Sequence, residues 1–254
     1  MESRSCCCGG SKSTREKNNC VLCGKPLVYF TEEKTLECRI CHKMKPANAA
    51  CEDGHFVCDT CHSAGGAAIL EMLRHSDEKD PIALLHRVFE LQSVHMHGPE
   101  HHGIVPCVLL TAYRNCGGQL DYEKCLAEGW ARGQKIPGGA CGYLGVCGAA
   151  AGAGIFAGIV CGATPLTGPQ WEIPQRLTAR CLQAMAEIGG PRCCKRTSRI
   201  SIECAAAFAE EVFGVSMPVS RPDCAYRAWN RECLRQRCPF FPQKNIRDHA
   251  EAVL

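Results

Sequence analysis

Twenty-three cysteines in a chain of 254 residues constrain what this protein can fold into more than any other feature. Such a density is expected of a small secreted scaffold stapled by disulfides. A chain of this length, however, can bury an ample core without staples. Its opening, Met1-Glu2-Ser3-Arg4-Ser5, runs into Cys6-Cys7-Cys8 and not into an apolar h-region, so no secretory signal is read there. Disulfides are rare in the reducing cytosol. The expectation is a cytoplasmic protein in which most thiols bind metal.

Charge adds little: the formal net charge is +3, without the basic excess that marks a DNA-binding protein. Nucleic acid is thereby disfavoured as a partner but not ruled out. Residues 145–163 (GVCGAAAGAGIFAGIVCGA) carry no charge and have small residues at helix-packing spacing. They are Gly and Ala rather than Leu and Ile, lack aromatic belts, and have Cys141, Cys147 and Cys161 in or beside them. The prediction is a closely packed helix inside a core, not a membrane span.

Three regions separate by composition. Residues 1–18 read as a flexible, cysteine-containing leader, 19–63 as a compact Cys/His module, and 67–254 as a mainly helical body with a cysteine-rich tail. Helices are predicted over 67–75, from Asp80-Pro81 to Leu91, over 103–115, 121–132, the Gly-rich run, 175–188 and 201–213. Asp80 reads as an N-cap with Pro81 at N1, and Ser201 as another N-cap. Gly189-Gly190-Pro191 and Gly214 read as stops. Short strands are expected only in the Cys/His module, near 27–29 and 35–37.

That module has strongly specific spacing. Cys20-x2-Cys23 and Cys38-x2-Cys41 are knuckles, and Cys51-x3-His55-x2-Cys58-x2-Cys61 supplies four more ligands. Eight ligands of this type make two tetrahedral Zn²⁺ sites. His42 and His62 follow knuckle cysteines and are alternative ligands. The run CEDGHFVCDTC resembles the centre of RING-type cross-brace zinc fingers. That resemblance implies that Cys38, Cys41, Cys58 and Cys61 share one ion, and Cys20, Cys23, Cys51 and His55 the other. The final CxxC pair of the RING pattern is absent after Cys61. Either the metal simply replaces a core in this segment, or the module also recruits a protein or RNA partner.

The cysteines of the body are not in CxxC pairs. Cys141, Cys147, Cys161, Cys181, Cys193 and Cys194 lie in or beside Gly-rich backbone, which lets a bulky cofactor approach closely. Three thiolates on an iron–sulfur cluster leave one iron open as a Lewis acid. The stretch from Cys141 to Pro165 (CGYLGVCGAAAGAG, then CGATP) resembles the cluster-binding segment of iron–sulfur-dependent L-serine dehydratases and their cysteine-desulfidase relatives. Cys181 follows Cys141 by 40 residues, then come Gly189-Gly190 and Cys193, in the family's order. His102-Gly103-Ile104-Val105-Pro106 is similar to that family's Gly-Ile-Ile-Pro helix. The likeness spans residues 95–210. It implies a helical domain with a [4Fe–4S] cluster on Cys141, Cys181 and either Cys193 or Cys194, acting as a lyase or desulfidase on a small amino-acid-like substrate. The family's Ser-Ser-Ser-His-Thr domain and its Cys-Asp-Pro motif are missing here. As a whole the chain is similar to uncharacterised proteins of strict anaerobes.

Further candidates flank these thiols. His95, His97, His101 and His102 cluster around Glu100 before an apolar helix, as metal ligands, as a general base, or simply as an exposed polar loop; His101 or His102 is the expected proton-transfer residue. Arg192, Lys195, Arg196 and Arg199 surround Cys193-Cys194; Arg196 is one candidate for holding a substrate carboxylate. Cys224-x8-Cys233-x4-Cys238-Pro239 holds a second cluster if a fourth cysteine joins it, or one of its cysteines reaches the first site and blocks it. Cys107, Cys116, Cys125 and Cys204 read as buried packing thiols. Cys6-Cys7-Cys8 is a candidate relay for persulfide or metal. No P-loop, Rossmann fingerprint, HExxH or GxSxG occurs. Two further functions stay open beside the lyase: a sulfur- or metal-trafficking protein, and a zinc-finger adaptor with a helical scaffold.

Overall fold

The computed structural model describes residues 20–23 and 25–242. The expectations for the leader and for Cys6–Cys8 lie outside the described residues. Within them the protein is mainly helical, with one two-stranded antiparallel sheet near its start.

The sheet pairs β1 (Leu27–Glu37) with β2 (Met44–Cys51), placing Leu27 opposite Cys51 and Glu37 opposite Met44. The register slips between Tyr29 and Lys34, so the two short strands expected near 27–29 and 35–37 are ends of one bulged strand. Cys38, Ala47, Ala50, Phe56 and Cys58 form a very small core. A core of this size is marginal for holding a hairpin by itself. One short helix, α1 (Asp59–His62), leads out of the module.

The body begins with α2 (Gly66–Arg74) and α3 (Pro81–Glu90). Asp80 caps α3 as expected: its Oδ1 accepts from the amides of Ile82 at 2.8 Å and Ala83 at 3.2 Å, worth about 1 kcal/mol. Then come α4 (Glu100–Asn115) and α5 (Tyr122–Gly133), the latter capped by Asp121. After α6 (Ala140–Tyr143) follow α7 (Gly148–Val160), α8 (Gly168–Ile188) and α9 (Cys194–Phe213). The segment after α9 carries only two 3-10 turns, Arg227–Trp229 and Arg235–Arg237.

The Gly-rich α7 is the central helix and packs on α4, α5, α8 and α9. A Cβ at Gly152 would stand 3.0 Å from the carbonyl oxygen of His102 and from Pro106 Cδ, so the absence of a side chain sets how closely α4 and α7 approach. Phe156, on the same helix, meets Tyr113 edge-on at 5.7 Å and Phe213 at 6.3 Å. Burying such a ring contributes about 1.5–3 kcal/mol. Among the described residues, no helix is long and apolar enough to cross a membrane.

Three helix starts differ from expectation. α4 begins at Glu100 rather than 103, so His101 and His102 are buried in its first turn and not in a stretch before it. α8 begins at Gly168 rather than 175, because Pro169 sits in its first turn, where a missing N–H costs nothing. α9 begins at Cys194, so Ser201 is buried mid-helix and Cys193 is the N-cap. The polar run 195–199 reads as loop but is buried helix. The Lys195 ammonium lies 3.9 Å from the centroid of Phe89, and the Arg199 guanidinium lies 3.8 Å from that of Phe240. Such cation–aromatic contacts replace the water these charges give up.

The hairpin module docks on this body through named polar contacts. Asp59 Oδ2 accepts from the Gly138 amide at 2.7 Å, and Tyr143 donates its hydroxyl proton to the Phe30 carbonyl at 2.5 Å. His62 Nδ1 meets Glu100 Oε2 at 3.1 Å. Between module and body lies a cavity of about 910 Å³.

Candidate metal centres

The eight predicted zinc ligands come together as two groups. Cys20, Cys23, Cys51 and His55 form one, and Cys38, Cys41, Cys58 and Cys61 the other, each with all donor atoms within 4.8 Å of one another. An ion with tetrahedral Zn–S bonds of about 2.3 Å sets sulfur–sulfur edges of about 3.8 Å. The Cys23–Cys51 and Cys41–Cys58 sulfurs lie 3.7 and 3.8 Å apart. Both groups can hold a metal ion such as zinc. His42 and His62, the alternative ligands, belong to neither: His42 pairs with Glu37 at 3.0 Å, and His62 turns to Glu100.

The second group is electrically polarised. Burial works against ionisation of Cys38, yet amides of Cys41, Cys58 and Ile40 outweigh it and bring the thiol down to about 6. Burial pushes Cys61 up to about 12, with the neighbouring sulfurs of Cys58, Cys41 and Cys38 adding to the rise. A divalent cation relieves that crowding, because thiolates and not thiols are its ligands.

A third, wider set of thiols lines the cavity. Cys141 comes from α6, Cys147 is the N-cap of α7, and Cys194 opens α9. Gly139, at φ +83°, gives the left-handed turn that starts α6. Two of these thiols stand at the N-termini of long helices. No three cavity thiols meet within 4.8 Å among the described residues, so this set does not surround one ion as the zinc ligands do. Burial raises Cys141, with Cys147 adding to the rise and Arg192 opposing it. Burial takes Cys194 up to about 12, against the pull of Arg192 and of the Gly98 amide. Arg192 is therefore the cation that faces the set, and it reaches across to the hydroxyl of Tyr29 on β1. His97 Nδ1 accepts from the Cys194 amide at 3.5 Å, while Nε2 donates to Asn230 Oδ1 at 3.3 Å. Burial, then Arg192, brings His97 down to about 4, so it is neutral there.

Other residues singled out in the sequence sit differently. Cys181 is fully buried, hydrogen-bonded with Cys204 and 3.9 Å from the Ser201 carbonyl; it does not line the cavity. Cys193 turns away from the cavity into a separate pocket. The two partners of Cys141 on the cavity wall are thus Cys147 and Cys194, not Cys181 and Cys193. The reason is local: α8 turns Cys181 toward Ser201 and Cys204 of α9, while the Gly189-Gly190-Pro191 loop delivers Cys194 to the opening.

Nor do the acid–base candidates have the freedom expected of them. His101 donates from Nε2 to the His95 carbonyl at 3.1 Å and accepts at Nδ1 from Ser198 Oγ at 3.4 Å. Burial, then Lys195, lowers it to about 3, so it is a neutral, fully engaged core residue. His102 donates from Nδ1 to the Ile136 carbonyl at 3.1 Å, leaving the lone pair on Nε2, and it lines the cavity. Arg196 is committed to backbone, donating to the carbonyls of Gly189 at 3.0 Å and Pro191 at 2.8 Å. It shapes the loop, and Arg192 takes the place facing the thiols. His95 and Glu100, candidate metal ligands in the sequence, do come together, joined by His62 of the module, with their donor atoms within 4.8 Å at the module–body junction.

No curated protein and no solved structure matches the chain. One family model does, over residues 69–241, which takes in every cysteine of the helical body and starts after the hairpin module. On that match the chain belongs to the family of unknown function DUF5714.

Proposed function

We propose that the protein is an oxygen-sensitive iron–sulfur enzyme of the non-redox lyase or desulfidase type, with zinc at the two compact groups and a [4Fe–4S] cluster on Cys141, Cys147 and Cys194. The observation that carries this reading is that three thiols from three helices line one cavity, too far apart for a single ion. A cubane cluster requires that wider spacing, because each thiolate binds a different iron. Gly142 and Gly145 lie along the same wall with open space beside them, which leaves room for such a group. A volume of about 910 Å³ is also within the range of small-molecule sites.

When bound, a three-thiolate cluster supplies an open iron that polarises a hydroxyl or thiol of the substrate. The remaining tasks fall to the chain. Arg192, the cation facing the thiols, is the group suited to a substrate carboxylate. His102 presents a neutral imidazole with its acceptor nitrogen at Nε2, suited to taking a proton beside a carboxylate. The hairpin module closes the far wall through Tyr29, Asn48 and Asp59, which limits water. Elimination across Cα–Cβ then releases water or hydrogen sulfide, and the enamine left behind hydrolyses to ammonia and a 2-oxo acid.

The test is anaerobic purification, followed by iron, acid-labile sulfide and zinc analysis and assays with L-serine and L-cysteine. A brown protein that releases ammonia, with iron falling by about four per chain in Cys147→Ala, supports the reading. A colourless protein with only about two zincs overturns it and leaves a zinc-finger adaptor. Iron with no turnover, but sulfur passed to an acceptor thiol, favours a trafficking protein.

A further inference from the structure

The pocket behind the cavity is lined by Cys193, Cys224, Cys233 and Cys238. Cys193 comes from the N-cap of α9, and the other three from the irregular segment that follows the helix. Residues 214–242 make no helix or strand beyond two 3-10 turns, yet Leu234, Cys238 and Phe240 are buried. A segment this long without regular structure needs something to fasten it.

We propose that Cys193, Cys224, Cys233 and Cys238 hold a second iron–sulfur cluster, fully ligated by protein thiolates, so that the neighbours Cys193 and Cys194 belong to two different centres.

Four lines of observation support this. First, all four thiols line one pocket, one arriving from the N-cap of α9 and three from the tail. Second, no three of them approach within 4.8 Å among the described residues, unlike the compact groups of the hairpin module. That spacing is wider than one zinc ion takes, and a cluster, whose irons each bind one thiolate, takes a wider one. Third, backbone amides point at the sulfurs, as they do around protein-bound clusters. Arg196 N donates to Cys193 Sγ and Arg235 N to Cys233 Sγ, both at 3.4 Å, and the Tyr226 amide donates to Cys224.

Fourth, the pocket holds buried positive charge. Arg199 is 3% exposed, gives one hydrogen bond to the Pro222 carbonyl, and has its Nε buried with no hydrogen-bond partner. A buried donor without a partner costs about 1–3 kcal/mol, more when charged. Lys195 and Arg196 line the same pocket. Four thiolates around a cluster carry net negative charge, which a buried site must balance; here the balancing cations are already in its wall.

The side chains diverge because Cys193 is extended, at φ −148° and ψ 104°, while Cys194 has entered the helix. The pair joins the two sites through one peptide, and consecutive Cα atoms are about 3.8 Å apart. His97 makes a second link: its ring lies between the Cys194 amide and Asn230, a residue of the rear pocket. A cluster with four protein ligands has no open iron. It is therefore suited to holding the tail and to one-electron exchange, not to binding substrate. Only the pairing of the two centres rests on the cavity reading above; the rear site stands without it.

The experiment uses the full chain purified under argon, with iron, labile sulfide and zinc counted per chain and electron paramagnetic resonance recorded after dithionite. The expected wild-type content is about eight irons, with about four left when Cys141, Cys147 and Cys194 are all changed to Ser. That triple variant stays brown and gives the signal of a reduced cubane. Changing Cys224, Cys233 and Cys238 to Ser removes about four irons and leaves the cavity set loaded. Should the tail variant not fold, Cys233→Ser alone, at a partly exposed thiol, must still lower the iron content or shift the signal. A colourless cavity variant beside a brown wild type overturns the rear cluster and spares the cavity reading. So does a tail variant with wild-type iron. Three zincs per wild-type chain overturns it as well, since the rear thiols then hold a single ion.

Discussion

Arg192 donates a hydrogen bond to the hydroxyl of Tyr29, and its guanidinium lies 5.0 Å from the centre of that ring. A residue of the loop before α9 thus grips β1 of the hairpin module, across the mouth of the cavity. Arg192→Ala removes both this grip and the cation facing Cys141 and Cys194. The expected loss is about 1–3 kcal/mol of docking, together with reduced iron retention. Iron content after gel filtration, with Tyr29→Phe for comparison, separates the two effects: Tyr29→Phe loosens docking alone.

Cys181 and Cys147 discriminate between a family likeness and the geometry of this chain. Cys147→Ala is expected to abolish the cavity cluster, and Cys181→Ala to leave iron and sulfide at wild-type levels. The latter costs only the packing of one small buried side chain, about 1–2 kcal/mol. Iron analysis and thermal unfolding of the two variants side by side provide the check.

Stripping metal from the hairpin module should leave the helical body standing. Cys38→Ser is expected to release one zinc of two and to melt the hairpin, since its core is small. Far-ultraviolet circular dichroism, dominated by α4, α7, α8 and α9, changes little. A large loss of helix would show that the body cannot fold without the module.

Glu100 is 1% exposed and is held by His62, His95 and the His95 amide. Burial alone would raise its pKa, but His62 and His95 hold it well below the usual carboxylate range. Burial works against charge on His62, and Glu100 more than offsets it, leaving that pKa raised. The contribution of Glu100 is present above about pH 4.3 and fades as pH falls. That of His62 is present below about pH 6.5 and fades as pH rises through its raised value. Glu100→Gln is expected to cost about 3–5 kcal/mol, with the gap from wild type largest near pH 5–6. Denaturant titrations across pH 4–8 measure it.

At Gly148 an added Cβ would sit 2.2 Å from the His102 ring. Gly148→Ala therefore displaces His102 or the start of α7, where Cys147 is the cap. The expected cost is about 1–3 kcal/mol, each kcal/mol lowering Tm by about 2–4 °C. A variant with unchanged Tm would mean that the α4–α7 contact is softer than described.

What could be read from the sequence was what short spacing encodes. Two CxxC knuckles and the Cys51–Cys61 run name their ligands, because sulfurs two residues apart converge on one ion whatever surrounds them. Asp80-Pro81 and Gly189 mark helix ends for equally local reasons. Sequence alone does not say which of Cys193 and Cys194 faces the cavity, since that turns on whether Cys193 is the last extended residue or the first helical one. The same ignorance placed the start of α9 at Ser201: residues 195–199 look solvated until Phe89 and Phe240 supply faces for their charges. Cys147 was visible, but its partnership with Cys194 depends on α7 and α9 meeting at their N-terminal ends, a long-range fact.

The hairpin side of the cavity has a consequence for how the protein becomes competent. With so small a core of its own, the hairpin leans on whatever its eight ligands hold. Were they empty, the wall carrying Tyr29 and Asn48 would slacken and the cavity would widen toward bulk water. On the function proposed above, readiness would then follow two metal supplies, one of them acting through architecture alone.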